Sequence, residues 1–151
     1  MKNVCGLDVH KDSIFMCIIK KNGDKVEEKF GVLTPELDRL RDLLVYHSVG
    51  DIAMESTSIY WVPIWRVLYS DFNIKIVNPY FIKQLPGRKT DVKDAQWIAT
   101  VLQKELIKGS FIPDPIIQEL RLYDRRIFYL NRNLQHAEQN IDLILQRCNI
   151  R

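Results

Sequence analysis

NVCGLDV at residues 3–9, SIFMCIIK at 13–20 and KVEEKFGV at 25–32 decide the fold. All three are strand-like runs. The second and third are joined through Asn22-Gly23, a dipeptide that tolerates the left-handed backbone a tight hairpin requires. The chain therefore opens as an antiparallel meander.

Working outward, Thr34-Pro35 supplies an N-cap and first-turn pair. Leu37, Leu40, Leu43 and Leu44 then recur at helical spacing to about residue 46, which predicts an amphipathic helix. DIAM at 51–54 predicts a short buried strand ending at Glu55. Residues 59–68 are apolar on nearly every side, as in a helix packed against a sheet. IKIV at 74–77 is a further strand, closed by Asn78-Pro79, a second cap and first-turn pair opening a short helix toward residue 85. After Pro86-Gly87, Thr90 is placed to cap a helix from residue 91 to about 103. Helices alternating with the later strands imply that those strands run parallel in a mixed α/β sheet, three antiparallel strands first, with both faces covered.

A last helix is expected from near Pro115. There Ile116, Leu120, Tyr123, Ile127, Leu130, Leu134, Ala137, Ile141, Ile144 and Cys148 alternate steps of four and three, a heptad seam that predicts a coiled coil or helical hairpin. It divides the chain into a catalytic domain at 1–112 and a coiled-coil helix at 113–151, and offers a surface for a homo-oligomer. The seam runs into the last residues, so the sequence is expected to be part of a longer protein.

The bulk composition sets limits. A chain of 151 residues that is 46% hydrophobic can bury one ordinary core. Its apolar runs are short and broken by charge, so no membrane span or secretion signal is expected and the chain reads as cytoplasmic. Cys5, Cys17 and Cys148 lack paired spacing and read as buried thiols; His47 and His136 share no ligand spacing with other residues. A formal charge of +3 is mild, but residues 72–90 hold no acid while carrying Lys75, Lys83, Arg88 and Lys89, a local basic segment.

The acids are more informative. Asp8 lies in an apolar run and Glu55 ends a buried strand. If those two strands are parallel neighbours, both carboxylates emerge at their C-terminal ends, where α/β sheets place their sites. A buried, uncompensated carboxylate costs roughly several kcal/mol. Asp91 and Asp94 are three apart on the expected helix and can face the same sheet edge. Four converging acids repel one another unless divalent cations neutralise them, and hard oxygen donors select Mg2+ or Mn2+. Two ions roughly 3.5–4 Å apart suit the attacking and leaving oxygens of a phosphodiester. Arg88 and Lys89, with Lys83 and Lys93, would hold the phosphate backbone beside them. Taken singly, Asp91 also suits a helix start, Asp8 a turn and Glu55 a cap.

Arg121, Arg125, Arg126 and Arg132 flank the seam and are candidates for nucleic-acid phosphates, although a solvated coiled-coil face carries such residues routinely. Trp61, Trp65 and Trp97 stand at helical spacing among aliphatic residues and read as core rather than as base-stacking groups. His10, beside Asp8, reads as the end of a strand, with assistance to the site as the alternative.

GLDVHKDS near the start, MESTSIYW in mid-chain and KTDVKDA before a helix together resemble the N-terminal domain of transposases of the insertion sequence 110 family, relatives of the pilin-gene invertases. The resemblance spans residues 4–99 and extends to a coiled coil in the seam's position. It implies a ribonuclease-H-like, RuvC-like fold whose Asp-Glu-Asp-Asp acids fall on Asp8, Glu55, Asp91 and Asp94. It further implies Mg2+-dependent cutting and rejoining of DNA in a prokaryotic cytoplasm, guided by a structured RNA. Family members continue into a second domain bearing a nucleophilic serine, which neither Ser56 nor Ser58 matches, so full recombination is expected to need that domain. The competing readings are a non-catalytic nucleic-acid-binding or regulatory fragment held by the coiled coil, and a junction resolvase on the same fold. An actin-like ATPase would need a second glycine-rich phosphate loop, which six glycines do not supply.

Overall fold

The computed structural model describes residues 2–55, 58–84 and 93–150, with the side chain of Lys83 outside the description. The chain forms two compact units, one ending at Phe111 and the other spanning Ile112–Arg151.

The first unit opens with strands β1 (Asn3–Val9), β2 (Ile14–Ile19) and β3 (Lys25–Phe30). Helix α1 (Thr34–Tyr46), strand β4 (Val49–Glu55), helix α2 (Trp61–Leu68), strand β5 (Asn73–Val77) and helices α3 (Pro79–Gln84) and α4 (Asp94–Gln103) follow. The five strands form one sheet in the order β3-β2-β1-β4-β5, with β1 at its centre. β1, β2 and β3 pair antiparallel, whereas β4 and β5 run parallel to β1 and to each other.

The hairpin turn is slightly longer than a two-residue loop. Lys20 N–H donates to the Asp24 carbonyl, Gly23 N–H donates to the Lys20 carbonyl, and Gly23 takes φ 92°. This is a type I turn closed by a left-handed glycine, a conformation any side chain would strain. Asn78 caps as expected, its Oδ1 accepting the Tyr80 N–H at 2.9 Å. Thr34 does not cap: α1 includes it, Leu33 precedes the helix without a side-chain bond, and Glu36 in the first turn reaches back to accept the Gly31 N–H at 3.2 Å.

Strand alternation divides the core into two layers. On one face lie Cys5, Leu7, Ile14, Met16, Ile18, Ile52 and Met54, all 0–1% exposed. α1 covers this side, since Arg39 lies over the Phe30 ring and pairs with Glu28. On the other face Val4, Cys17, Ile19, Ala53 and Val77 join Ala95, Ile98, Ala99 and Leu102 of α4 in a buried cluster. Helices thus cover both faces. α4 sits unusually close to the central strand: a Cβ at Gly6 would lie 2.3 Å from the Ala95 carbonyl oxygen and 2.4 Å from the Ala99 nitrogen. Only a glycine on β1 opposite alanines on α4 permits this approach.

Three expectations change, and the one for Trp97 holds. α4 begins at Asp94, three residues later than expected, behind a non-helical Lys93 (φ −56°, ψ 142°); Thr90 and Asp91, and with them the expected pairing of Asp91 with Asp94, lie outside the described residues. α2 buries only Ile64 and Leu68, because it packs beside α1 rather than beneath a second layer, and leaves Trp61 and Trp65 half-buried. Trp97 is core, 7% exposed, its indole N–H donating to the Ile82 carbonyl at 3.2 Å. Cys148 is exposed while Cys5 and Cys17 are buried.

The second unit is dominated by α5 (Pro115–Arg147), 33 residues without interruption, which removes the helical-hairpin alternative. None of its residues is buried. That explains Cys148: its seam position is apolar by pattern, but the described residues of the second unit do not cover it. Among the described residues no helix is long and apolar enough to cross a membrane.

Candidate active site

Parallel pairing of β1 with β4 sets Leu7 opposite Met54, so the next residues, Asp8 and Glu55, emerge side by side on the face that α4 covers. Gly6 lets α4 settle with its first residue, Asp94, near the same strand ends. The three carboxylates come from the centre of the sheet, its neighbouring strand and a helix docked over both. Asp8 is buried at 8% exposure, Glu55 is half-buried and Asp94 is exposed.

Asp8 bears the electrostatic consequence. Burial pushes its carboxyl pKa up from the ordinary 3.8, and the negative charges of Glu55 and Asp94 push the same way; His10 opposes both. His10 Nε2 lies 3.0 Å from Asp8 Oδ2, in hydrogen-bond contact. The ionised form of Asp8 is therefore disfavoured in the protein alone, and nearby positive charge would reverse that. Carboxylate oxygens on three separate elements suit a hard divalent cation chemically. Among the described residues, however, no three acidic, histidine or cysteine side chains are gathered closely enough to enclose an ion as they stand.

Asp8 and Asp94 open onto a cleft of about 550 Å³ lined also by Phe15, Glu27, Lys29 and Lys93, among others. Lys93 pairs with Glu27 of β3, which raises the ammonium pKa and ties the residue before α4 to the far edge of the sheet. The sequence reading missed Phe15, Glu27 and Lys29. The signal was available: pairing outward from the Asn22-Gly23 turn sets Phe15 opposite Lys29 and Cys17 opposite Glu27, and the short β1–β2 connection sets Asp8 opposite Phe15.

Of the other sequence candidates, Arg88, Lys89 and Asp91 lie outside the described residues, as does Ser56, and the side chain of Lys83 is likewise not described. Arg121, Arg125 and Arg126 are exposed on α5, in the second unit.

Residues 5–150 match the transposase family of insertion sequence 110, the DEDD transposases. The chain belongs to that family. The match to these transposases runs through both units. Transposase membership points to a DNA-cutting enzyme. No curated protein matches the chain in sequence. Among solved structures, RuvC of Thermus thermophilus is 12% identical with TM-score 0.50, over 72% of this chain and 99% of that one. This shows a shared RuvC-like fold. The same protein in complex with a Holliday junction substrate gives 10% identity and TM-score 0.49, over 73% and 100% of the two chains. A Fowlpox virus resolvase in complex with Holliday junction DNA gives 12% and 0.44, over 70% and 99%.

Proposed function

We propose that the first unit is the metal-dependent catalytic domain of a DNA transposase that cuts and rejoins DNA phosphodiesters. Asp8, Glu55, Asp91 and Asp94 form its acidic set, and Mg2+ or Mn2+, two ions, are its cofactor. The observation that carries this reading is Asp8: an acid on the central strand, almost fully buried, whose charge is opposed by its surroundings and by two neighbouring carboxylates. Such an arrangement stores affinity for a cation. When bound, the divalent ions would supply charge neutralisation at the attacking and leaving oxygens of the phosphodiester. The chain's own part is to hold the oxygen donors: β1 and β4 fix Asp8 and Glu55 side by side, α4 brings Asp94, and His10 orients the Asp8 carboxylate.

Lys83, Arg88, Lys89 and Lys93 are assigned to DNA phosphates next to the acids. Arg121, Arg125 and Arg126 are assigned to nucleic acid along α5, where a structured guide RNA is the partner the family suggests. The α5 seam joins copies of the chain. Domains at 1–112 and 113–151 divide these roles, in a prokaryotic cytoplasm, and full recombination draws on a further domain. A junction resolvase would use the same fold; the family match favours transposition.

Calorimetry with MnCl2 tests the site. The chain is expected to bind Mn2+, and Asp8→Asn to weaken that binding at least about tenfold, the loss of one charged ligand from a small acidic set. Equal binding by the variant would remove the site assignment. Cleavage of labelled DNA by the protein with its further domain, lost in Asp8→Asn, tests the activity.

A further inference from the structure

β2 buries its side chains almost completely, with Ile14, Met16, Cys17, Ile18 and Ile19 at 0–5% exposed, but Phe15 is 38% exposed. It is the register partner of Asp8, so its ring lies on the face that carries the acids, and it lines the same cleft. A sheet that seals every other apolar residue of this strand leaves its aromatic one open beside the carboxylates.

The ring is also flanked by cation and imidazole. Lys29, the register partner of Phe15 on β3, places its ammonium 5.1 Å from the ring centroid, and His10 packs edge-on at 5.7 Å and 84°. Lys93, by contrast, already has a carboxylate partner in Glu27, which a DNA phosphate would have to displace. Among the described residues, the Lys29 ammonium has an aromatic face as its partner and no carboxylate. Acid, aromatic and cation therefore stand in one row across three adjacent strands, at successive spacings of about 4.8 Å.

Aromatic rings next to free cations in an open groove are how proteins hold single-stranded nucleic acid, the ring stacking a base and the cation meeting a phosphate. A base inside a duplex offers only its edges; an unpaired or extruded base offers a face. We propose that Phe15 stacks an unpaired base of the DNA strand whose phosphate enters the acidic cleft, with Lys29 moving on its four-carbon stem from the ring to the adjoining phosphate. The inference rests on reading the cleft as a DNA-cutting site, and adds that the strand is melted where it is cut.

The test uses the 151-residue chain without divalent metal and a short single-stranded DNA carrying one 2-aminopurine, whose fluorescence falls on stacking. The wild type is expected to bind and quench, and Phe15→Trp to do the same. Phe15→Leu keeps the apolar bulk and is expected to lose the quenching and bind about tenfold more weakly. Lys29→Ala is expected to weaken binding and flatten its salt dependence while sparing the quenching. A duplex of the same sequence should not quench. Wild-type behaviour in Phe15→Leu, absence of binding or quenching in the wild type, or a tenfold preference for RNA of the same sequence each overturns the proposal. Mn2+ titration of Asp8→Asn separates the two readings. If Phe15→Leu behaves as wild type while Asp8→Asn loses metal, stacking fails and the catalytic reading stands; the reverse pattern leaves a strand-binding cleft without the metal site.

Discussion

In the sheet unit Leu7, Ile14, Ile18, Leu40, Leu44 and Ile52 are sealed at 0% exposure, whereas on α5 Leu120, Ile127, Leu130 and Leu134 stand 51–58% exposed. Both regions contain the same residue types at regular spacing. The sheet supplies three kinds of neighbour for each side chain: a paired strand, a covering helix and the opposite layer. The lone helix supplies only its own next turn. A burial of about 25 cal/mol per Å² is realised in the first region and left unrealised in the second. The first unit seals its apolar residues by itself, and the second leaves an apolar seam open.

The largest effect should come from breaking the tightest contact of the sealed region. Gly6→Ala puts a methyl into the backbone of α4 at Ala95 and Ala99. The expected loss is about 3 kcal/mol or more, the upper end for overpacking because backbone must move. Urea denaturation would measure it, and Mn2+ affinity should fall with it as Asp94 leaves Asp8. An unchanged midpoint would show that α4 does not rest on Gly6.

Breaking the open region should do the opposite. With the paired change Ile127→Asp and Leu134→Asp, sedimentation is expected to show only monomer where the wild type associates, because charge at two seam positions one heptad apart cannot be buried. The sheet unit's unfolding midpoint should stay within about 0.5 kcal/mol of wild type, as for an exposed substitution. A monomeric wild type would remove the seam as a self-association surface.

A third experiment sharpens the contrast between a sealed fold and the acid inside it. Because the folded-state pKa of Asp8 is raised, its ionisation opposes folding. The native state is favoured by this group below the ordinary value of 3.8, and that contribution is lost as pH climbs through the raised pKa. Asp8→Asn should therefore melt about 2–4 °C higher than wild type at pH 7 without metal. The gap should close as pH falls below the ordinary aspartate range, and added Mg2+ should narrow it by stabilising the wild type alone. A lower melting temperature for the variant at pH 7 would mean that Asp8 contributes a net favourable bond.

The smallest effect reads exposure directly. Cys148 lies open on the second unit, whereas Cys5 is buried and burial with the nearby Glu27 pushes the Cys17 thiol up to about 11. One thiol should react promptly with a disulfide reagent at pH 8, and Cys148→Ser should abolish that phase. Two prompt thiols would mean that the layer under α4 opens readily.

Much of the architecture could be read from residues alone, since the strand-like composition of the first three runs, Asn22-Gly23 and Asn78-Pro79 are local signals with local causes. The closeness of Asp8 and Glu55 followed from a general rule about parallel neighbours, and β1 and β4 obey it. What escaped depended on partners remote in sequence. Phe15 and Lys29 join the cleft only through strand register, and Trp61 and Trp65 are half-buried because of where α2 lies, not because of their own spacing. The start of α4 shifted because Thr90 and Asp91 are good helix openers by type, while the backbone at Lys93 is extended. The cysteines at 17 and 148 show the same limit: both stand in apolar patterns, but Cys17 on β2 is covered by α4 while Cys148 at the end of α5 is exposed.

The glycine-to-alanine seating of α4 on the central strand also sets an order of events during synthesis. β1 leaves the ribosome early, but it must wait for β4 and then for residues 94–103 before the third carboxylate arrives, so the acidic trio is a late feature of the nascent domain. A chain interrupted anywhere before that helix has Asp8 and Glu55 on neighbouring strands but lacks Asp94, so the three carboxylates meet only once synthesis has passed residue 94.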